Sequence, residues 1–273
     1  MNSPLTIGVF DSGFGGLTVL RALLPLIPGA RYLYLGDTAR LPYGSKSRET
    51  IARYALSSGR FLLEQGAEHL VVACNTATAL ALEDLKADLP IPVTGVIAPG
   101  AAAAQAVGAA GHVLVLATTA TVQSGAYTRA LEARGLAATE KACPLLVPLV
   151  EEGWLEATPE TIAVTAEVLR IYLAEAMAEA PQATSLLLGC THYPLLKPLI
   201  EETLRRLDYP LRLIDSADAT AQAVAGQIGT RAAVGVATST AFYATDSIEK
   251  FQRLGSRFLG QVLPPVSLID LGG

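Results

Sequence analysis

Two apolar runs that each end in a cysteine constrain the fold of this chain most strongly. One run, within residues 70–77, ends at Cys74, and the other, within residues 186–194, ends at Cys190. A short apolar run followed by small or polar residues is typical of a buried parallel strand that opens into a loop. Ligands of such sheets bind beyond the carboxyl ends of the strands. Both thiols are therefore predicted where chemistry takes place.

Strand and helix patterns alternate along the chain, beginning with a strand at residues 5–10, a glycine-rich turn and a helix. Two successive stretches repeat the same order of polar turn, loop and cysteine-bearing strand end. We therefore predict an α/β protein with two similar, pseudo-symmetric, doubly wound domains of mainly parallel strands, and an active site in the cleft between them. The first predicted domain comprises residues 1–97 and 208–273, and the second comprises residues 98–207.

Local patterns add three predictions that the structure can test. We expect one helix over residues 122–134, a turn at 148–153, and a helix that begins at Thr158-Pro159, with the threonine as N-cap. The segment from Thr230 onward carries mixed strand and helix patterns.

Charge and cysteine usage exclude several classes of protein. The net charge is −5 and the basic residues are scattered, so nucleic acid is not an expected partner. No window of about 18 residues has the uninterrupted apolar character of a membrane helix. The first residues lack the pattern of a signal peptide, and three cysteines, an odd number, do not form a disulfide framework. We expect a cytoplasmic protein with reduced thiols and, without CxxC or HxxxH spacing, no metal site.

A cysteine at a strand end is often only a small buried apolar residue, and Cys143 is expected to be one. Two cysteines at equivalent places favour a chemical role. Cys190 could act as a nucleophile with His192 as its base, or the two strand-end thiols could form a redox disulfide. A third possibility is proton transfer on both faces of one carbon, with one thiolate removing a proton while the other thiol delivers one. Asp11 and His192 are candidates to assist.

Six motifs resemble those of glutamate racemases, within the aspartate/glutamate racemase family. They are FDSGFGG (10–16), GDTARLPYG (36–44), ACNTATA (73–79), ATTATVQSGAY (117–127), VPLVEEG (147–153) and GCTHYP (189–194). They occur in the family's order over nearly the whole chain. The resemblance implies a cofactor-independent enzyme that interconverts L-glutamate and D-glutamate for peptidoglycan synthesis. It also implies a homodimer.

The resemblance assigns roles to matching positions of this sequence. Cys74 would take the α-proton of D-glutamate and Cys190 that of L-glutamate, with Asp11 and His192 as assisting acid–base residues. The positions that match the family's substrate contacts are Asp11, Ser12, Tyr43, Gly44, Asn75, Thr76, Thr118, Thr121, Thr191 and His192. A further assisting carboxylate matches either of two adjacent positions, Glu151 and Glu152.

Other interpretations stay open from the sequence alone. An aspartate racemase would share the two-thiol chemistry, although related sequences commonly have Glu where this chain has His192. A non-catalytic protein that binds an acidic amino acid, or that acts through another interaction, would keep the same fold. Individually, Asp11 could be only a helix N-cap, Asp37 could cap its own loop, and Tyr43 could be a surface aromatic.

Overall fold

The computed structural model describes residues 4–107, 111–229 and 237–272. Residues 108–110 and the start of the mixed segment, at 230–236, lie outside the described residues. None of the helices in the described ranges has the length and apolar character needed to cross a bilayer.

The elements follow one another in the order that the alternating pattern predicts. The first stretch contains β1 (Thr6–Asp11), α1 (Leu17–Leu26), β2 (Arg31–Gly36), a 3₁₀ turn (Tyr43–Ser45), α2 (Arg48–Glu64), β3 (His69–Val72), α3 (Asn75–Asp88) and β4 (Val93–Gly95). The second contains α4 (Ile97–Ala106), β5 (His112–Ala117), α5 (Thr119–Ser124), α6 (Ala126–Glu132), β6 (Ala137–Ala142), α7 (Leu146–Glu151), α8 (Pro159–Glu179), β7 (Ala183–Gly189), a 3₁₀ turn (Tyr193–Leu196), α9 (Lys197–Arg206) and β8 (Arg212–Asp215). The last contains α10 (Ser216–Ile228), β9 (Ser239–Ala244), α11 (Ile248–Leu259) and β10 (Val266–Leu268).

The strands form two sheets, and every described strand pair is parallel. The six-stranded sheet has the order β10-β9-β2-β1-β3-β4, and the four-stranded sheet has the order β6-β5-β7-β8. The predicted α/β class with parallel sheets is therefore confirmed. The order β2-β1-β3-β4 in one sheet has the same form as β6-β5-β7-β8 in the other, which gives the repeated sequence pattern a structural counterpart.

Burial explains why the central strands are mostly apolar. All residues of β1 and β3 are buried, as expected for strands covered on both faces by helices.

Two helices begin at residues whose side chains can cap a helix N-terminus. Ser47 accepts a hydrogen bond from the Thr50 backbone N–H at the start of α2, and Thr158 caps α8 with Pro159 in its first turn.

The chain divides into two compact units, each with one sheet. The described residues up to Val96, together with those from Ala217 onward, form the first unit, and Ile97–Ser216 forms the second. The sequence prediction placed residues 208–273 with the first domain. The structure differs at its start because β8 pairs with β7, from Ser185–Arg212 to Leu188–Asp215, and so belongs to the second sheet. Further along, β9 pairs with β2 in the first sheet.

Two local predictions are wrong. The single helix expected over 122–134 is divided into α5 and α6, because Gly125 adopts a left-handed conformation with φ of 60° that ends one helix and begins the next. The turn expected at 148–153 is largely helical, since Pro148 falls in the first turn of α7, where a missing backbone N–H is tolerated.

Candidate active site

In the first unit, Cys74 lies between the end of β3 and the start of α3. Its thiol donates to the Ser12 Oγ at 3.4 Å and its sulfur accepts the Ala77 backbone N–H at 3.4 Å, so Cys74 is the N-cap of α3. The N-terminus of an α-helix carries partial positive charge. The Ala77 backbone N–H and the helix N-terminus therefore favour a negative charge on the sulfur of Cys74.

Asp11 ends β1, the strand that pairs with β3. The two strands are in register at Phe10–Val72, which brings Asp11 beside Ala73, the residue before Cys74. The Asp11 side chain is buried and its Oδ2 accepts the Gly13 backbone N–H at 2.8 Å. A Cβ on Gly16 would lie 2.6 Å from the Cβ of Asp11 and 2.8 Å from that of Ala73, so glycine lets this turn approach both strand ends.

The Tyr43 side chain is buried, in contrast to the surface aromatic that the sequence allowed. Its hydroxyl donates to Asp37 Oδ2 at 2.6 Å. Tyr43 and Cys74 belong to the same cluster of packed buried residues, and Gly44 follows in the 3₁₀ turn. Asn75 and Thr76 are buried at the start of α3. The first unit thus gathers its predicted site residues at the carboxyl ends of β1, β2 and β3.

In the second unit, Cys190 follows β7 and has a different neighbourhood. His192 Nδ1 lies 3.9 Å from the Cys190 sulfur, and His192 Nε2 lies 3.1 Å from Glu151 Oε1 at the end of α7. Burial alone would lower the pKa of His192, but its contacts with Cys190 and Glu151 raise it to about 10. The imidazole is then protonated at neutral pH and can donate to both neighbours.

The two candidates for a further carboxylate, Glu151 and Glu152, differ in position. Glu151 is half-buried against His192, whereas Glu152 is exposed at the end of α7. The sequence alone could not separate them, because adjacent helical residues point about 100° apart and the deciding contact is with a residue far along the chain.

Thr118 follows β5 and Thr121 lies in the next helix, α5, so both follow the strand that pairs with the Cys190-bearing strand β7. Ala117 of β5 pairs with Gly189 of β7, so the residues that follow these strands are neighbours. Thr118 caps α5, its Oγ1 lying 2.9 Å from that of Thr121. Thr191 is buried between Cys190 and His192. The second unit therefore gathers its own predicted residues at the ends of β5 and β7.

The third cysteine has no comparable surroundings. Cys143 is fully buried, and burial raises the pKa of its thiol above the usual range. This confirms the prediction that it belongs to the core. Cys74 and Cys190 are also buried thiols, but 6% and 5% of their surfaces stay exposed. Within the described ranges, no group of three or more His, Cys, Asp or Glu side chains could hold a metal ion.

Sequence reasoning considered Asp37 only as a cap of its own loop and missed Arg40 and Thr245 beside it. Asp37 is fully buried at the end of β2 and binds the half-buried side chains of Arg40 and Thr245. The motif GDTARLPYG contains the first two, but only the pairing of β9 with β2 brings Thr245 to them.

Comparison with known proteins supports one family over the length of the chain. A family model described as Asp/Glu/Hydantoin racemase matches residues 15–224. The glutamate racemase of Koribacter versatilis is 49% identical over 292 residues, with 98% of each chain covered.

Solved structures agree with this result. The glutamate racemase of Thermus thermophilus in complex with beta-chloro-D-alanine is 42% identical, with 99% of both chains covered and a TM-score of 0.86. The Francisella tularensis glutamate racemase in complex with D-glutamate is 30% identical, with 99% of both chains covered and a TM-score of 0.88. The chain belongs to the Asp/Glu/hydantoin racemase family.

Proposed function

We propose that this chain is a cofactor-independent racemase that interconverts L-glutamate and D-glutamate, with Cys74 and Cys190 as its two acid–base groups. Relatives named glutamate racemase, among them one that is 49% identical, support the substrate, and the Francisella relative is in complex with D-glutamate. One observation carries the mechanism. Each cysteine follows the third strand of the repeated order, next to the strand that carries the other predicted polar residues.

The chemistry requires two groups of the same kind. Inversion at the α-carbon needs one group to remove the proton and a second to deliver a proton to the opposite face. A thiol has an ordinary pKa of about 8.5, so both thiolate and thiol are accessible near neutral pH. In this proposal Cys74 removes the proton from D-glutamate while Cys190 delivers one, and the roles exchange for L-glutamate. The α-proton is only weakly acidic, so charge stabilisation of the carbanion must contribute.

The neighbouring residues have distinct proposed roles. Asp11 assists proton transfer at Cys74, and His192 assists at Cys190. Glu151 accepts a hydrogen bond from His192 and thereby orients the imidazole towards the sulfur. The further proposed substrate contacts are Ser12, Tyr43, Gly44, Asn75, Thr76, Thr118, Thr121 and Thr191.

Incubation in D₂O tests the function directly. Each enantiomer of glutamate and of aspartate is incubated with the protein, then optical rotation and loss of the α-hydrogen NMR signal are followed. We expect both glutamate enantiomers to racemise and the product to carry deuterium at the α-carbon. Turnover of aspartate alone would overturn the substrate. Binding of glutamate without deuterium incorporation would identify a binding protein.

We also propose a cytoplasmic homodimer that supplies D-glutamate for peptidoglycan, as the family resemblance implies. Sedimentation velocity should give the mass of two chains, and a mass of one chain would overturn the dimer. Expression in a bacterium that requires external D-glutamate should restore growth without the supplement. Failure to restore growth by an active enzyme would overturn the biological role.

A further inference from the structure

A buried carboxylate lies behind the loop that carries Tyr43 and Gly44. Asp37 is fully buried, and it accepts hydrogen bonds from the Tyr43 hydroxyl at 2.6 Å and from Thr245 Oγ1 at 2.9 Å. A buried carboxylate is unfavourable unless its charge is balanced. Arg40 Nη1 lies 3.5 Å from Asp37 Oδ2, and only 11% of the Arg40 side chain is exposed. Arg40 therefore supplies positive charge to this group.

The Arg40 guanidinium is also bound on its other sides. Nη1 donates to Ser57 Oγ of α2 at 2.8 Å, and Nη2 donates to the Gly272 carbonyl. The guanidinium lies over the Tyr54 ring, 4.6 Å from its centroid. The guanidinium presents five N–H donors in a planar fork and so reaches acceptors on several sides, whereas a lysine offers three donors on a single nitrogen. Arg40 thus joins the loop to α2 and to the segment 269–272.

The segment 269–272 is itself held in place, so it offers Arg40 a fixed acceptor. The Ile269 backbone N–H donates to the Ala244 carbonyl at the end of β9 at 2.9 Å. Ile269 and Leu271 pack against the buried cluster that contains Tyr43. Residues after β9 also hold the loop directly, since Thr245 Oγ1 accepts the Ala39 backbone N–H at 2.9 Å.

Tyr43 connects Asp37 and Arg40 to the loop that is proposed to contact the substrate. Burial, together with the Asp37 carboxylate, raises the pKa of Tyr43, so its hydroxyl keeps its proton and donates it to Asp37. The ring packs on Phe10 and Tyr54, with centroids 6.2 Å and 5.9 Å apart. Because the Tyr43 side chain packs into the core, it anchors the loop. The proposed contact with substrate is therefore made by the loop backbone, including Gly44.

We propose that Arg40 is a positioning residue for the racemase: by joining the segment 269–272 to the Asp37–Tyr43 pair, it fixes the loop that contacts glutamate. This inference rests on the proposed function. It predicts that Arg40 acts on substrate binding rather than on proton transfer, because it lies behind the loop and reaches the substrate only through Tyr43.

The test compares Arg40→Met and Arg40→Lys with a matched control, Arg53→Met. Arg53 lies over the same Tyr54 ring, 5.3 Å from its centroid, but is exposed on α2. We expect Arg40→Met to raise KM for glutamate about tenfold while kcat changes less than about threefold. Arg40→Lys should restore part of the loss, since it keeps the charge, and Arg53→Met should match the wild type.

Hydrogen exchange of the unliganded protein supplies a readout that needs no turnover. Peptides covering residues 37–46 should exchange faster in Arg40→Met than in the wild type or in Arg53→Met. In a double-mutant cycle, adding Tyr43→Phe to Arg40→Met should raise KM by less than the product of the two single effects.

Two results would overturn the positioning role. One is unchanged exchange of residues 37–46 in Arg40→Met, and the other is a loss confined to kcat. A wild-type protein that does not racemise glutamate would instead overturn the proposed function, whatever the exchange of the loop. If Arg40→Met fails to fold, Arg40→Lys replaces it and must show smaller increases in KM and in loop exchange. An Arg40→Lys variant with the KM and the loop exchange of the wild type would then refute the proposal.

Discussion

The two cysteine-bearing strand ends occupy equivalent places in their sheets but have different neighbours. Cys74 caps the 14-residue helix α3 and touches the hydroxyl of Ser12. Cys190 is followed by a 3₁₀ turn, and the side chain near its sulfur is the imidazole of His192, which Glu151 binds. One thiol therefore has backbone donors at a helix N-terminus, and the other has a charged side-chain pair.

The repeated strand order therefore places both thiols at equivalent strand ends, while the groups that support each sulfur electrostatically differ. Backbone donors at a helix start do not titrate, and side-chain substitutions other than proline leave them in place. An imidazole–carboxylate pair can be removed and depends on pH. The Cys190 end should consequently be the more sensitive of the two to mutation of neighbours and to pH.

The largest effect should come from the thiols themselves. Cys74→Ser and Cys190→Ser should each lower racemisation about 10³-fold, since a hydroxyl is a far weaker acid than a thiol and positioned acid–base groups contribute about 10²–10⁴-fold. Steady-state assays with each glutamate enantiomer measure this. Cys143→Ser is the matched control and should stay within a few-fold of the wild type. Near-normal turnover in either strand-end variant would contradict the proposal that both thiols are acid–base groups.

A smaller loss is expected from the pair beside Cys190. His192→Gln should lower kcat about 10²-fold and Glu151→Gln about tenfold, because the first removes the donor to the sulfur and the second only its orienting partner. Glu152→Gln, on the exposed neighbour, is the control. Since the enantiomers have equal free energies, kcat/KM must fall equally in both directions. Equal losses from Glu151→Gln and Glu152→Gln would refute the assignment of Glu151.

The same pair predicts how stability depends on pH. The pKa of His192 is about 10 in the folded chain, above the ordinary value of 6.5, so folding favours its protonated form. The contribution of protonated His192 to the free energy of unfolding is complete below about pH 6.5 and is lost as the pH rises through about 10. Between these limits the melting temperature of the wild type should fall more steeply than that of His192→Gln. Parallel curves for the two proteins would show that His192 does not gain its proton on folding.

The smallest effect is expected at the Cys74 end. Ser12→Ala removes one hydroxyl near the sulfur but leaves the Ala77 backbone N–H in place. We expect a three- to tenfold loss of kcat/KM, in line with one hydrogen bond of about 1 kcal/mol. A loss as large as that of His192→Gln would show that the helix N-terminus contributes little to Cys74.

Much of this arrangement follows from local sequence. The strands that precede Cys74 and Cys190 are short apolar runs, and the caps Ser47 and Thr158 are visible as side-chain types in the right positions. Because parallel strands present their carboxyl ends at one edge of a sheet, the polar residues after β1 and β3 could be expected together.

The remainder depends on contacts between distant parts of the chain. Thr245 binds Asp37 across 208 positions, and His192 selects Glu151 over its neighbour across 41 positions. No periodic pattern encodes such pairs, since they arise from how strands and helices pack. The end of the second unit was placed too early for the same reason: β8 could have joined either sheet until its pairing with β7 was known.

Hydrogen exchange at the α-carbon of glutamate in the two serine variants tests the central claim most directly. In D₂O, Cys190→Ser should exchange the α-hydrogen of D-glutamate with retention of configuration, because Cys74 removes it and returns a solvent deuteron to the same face. It should leave L-glutamate unexchanged, and Cys74→Ser should show the reverse. If both variants exchange the same enantiomer, or neither variant exchanges either, the assignment of one thiol to each enantiomer is contradicted.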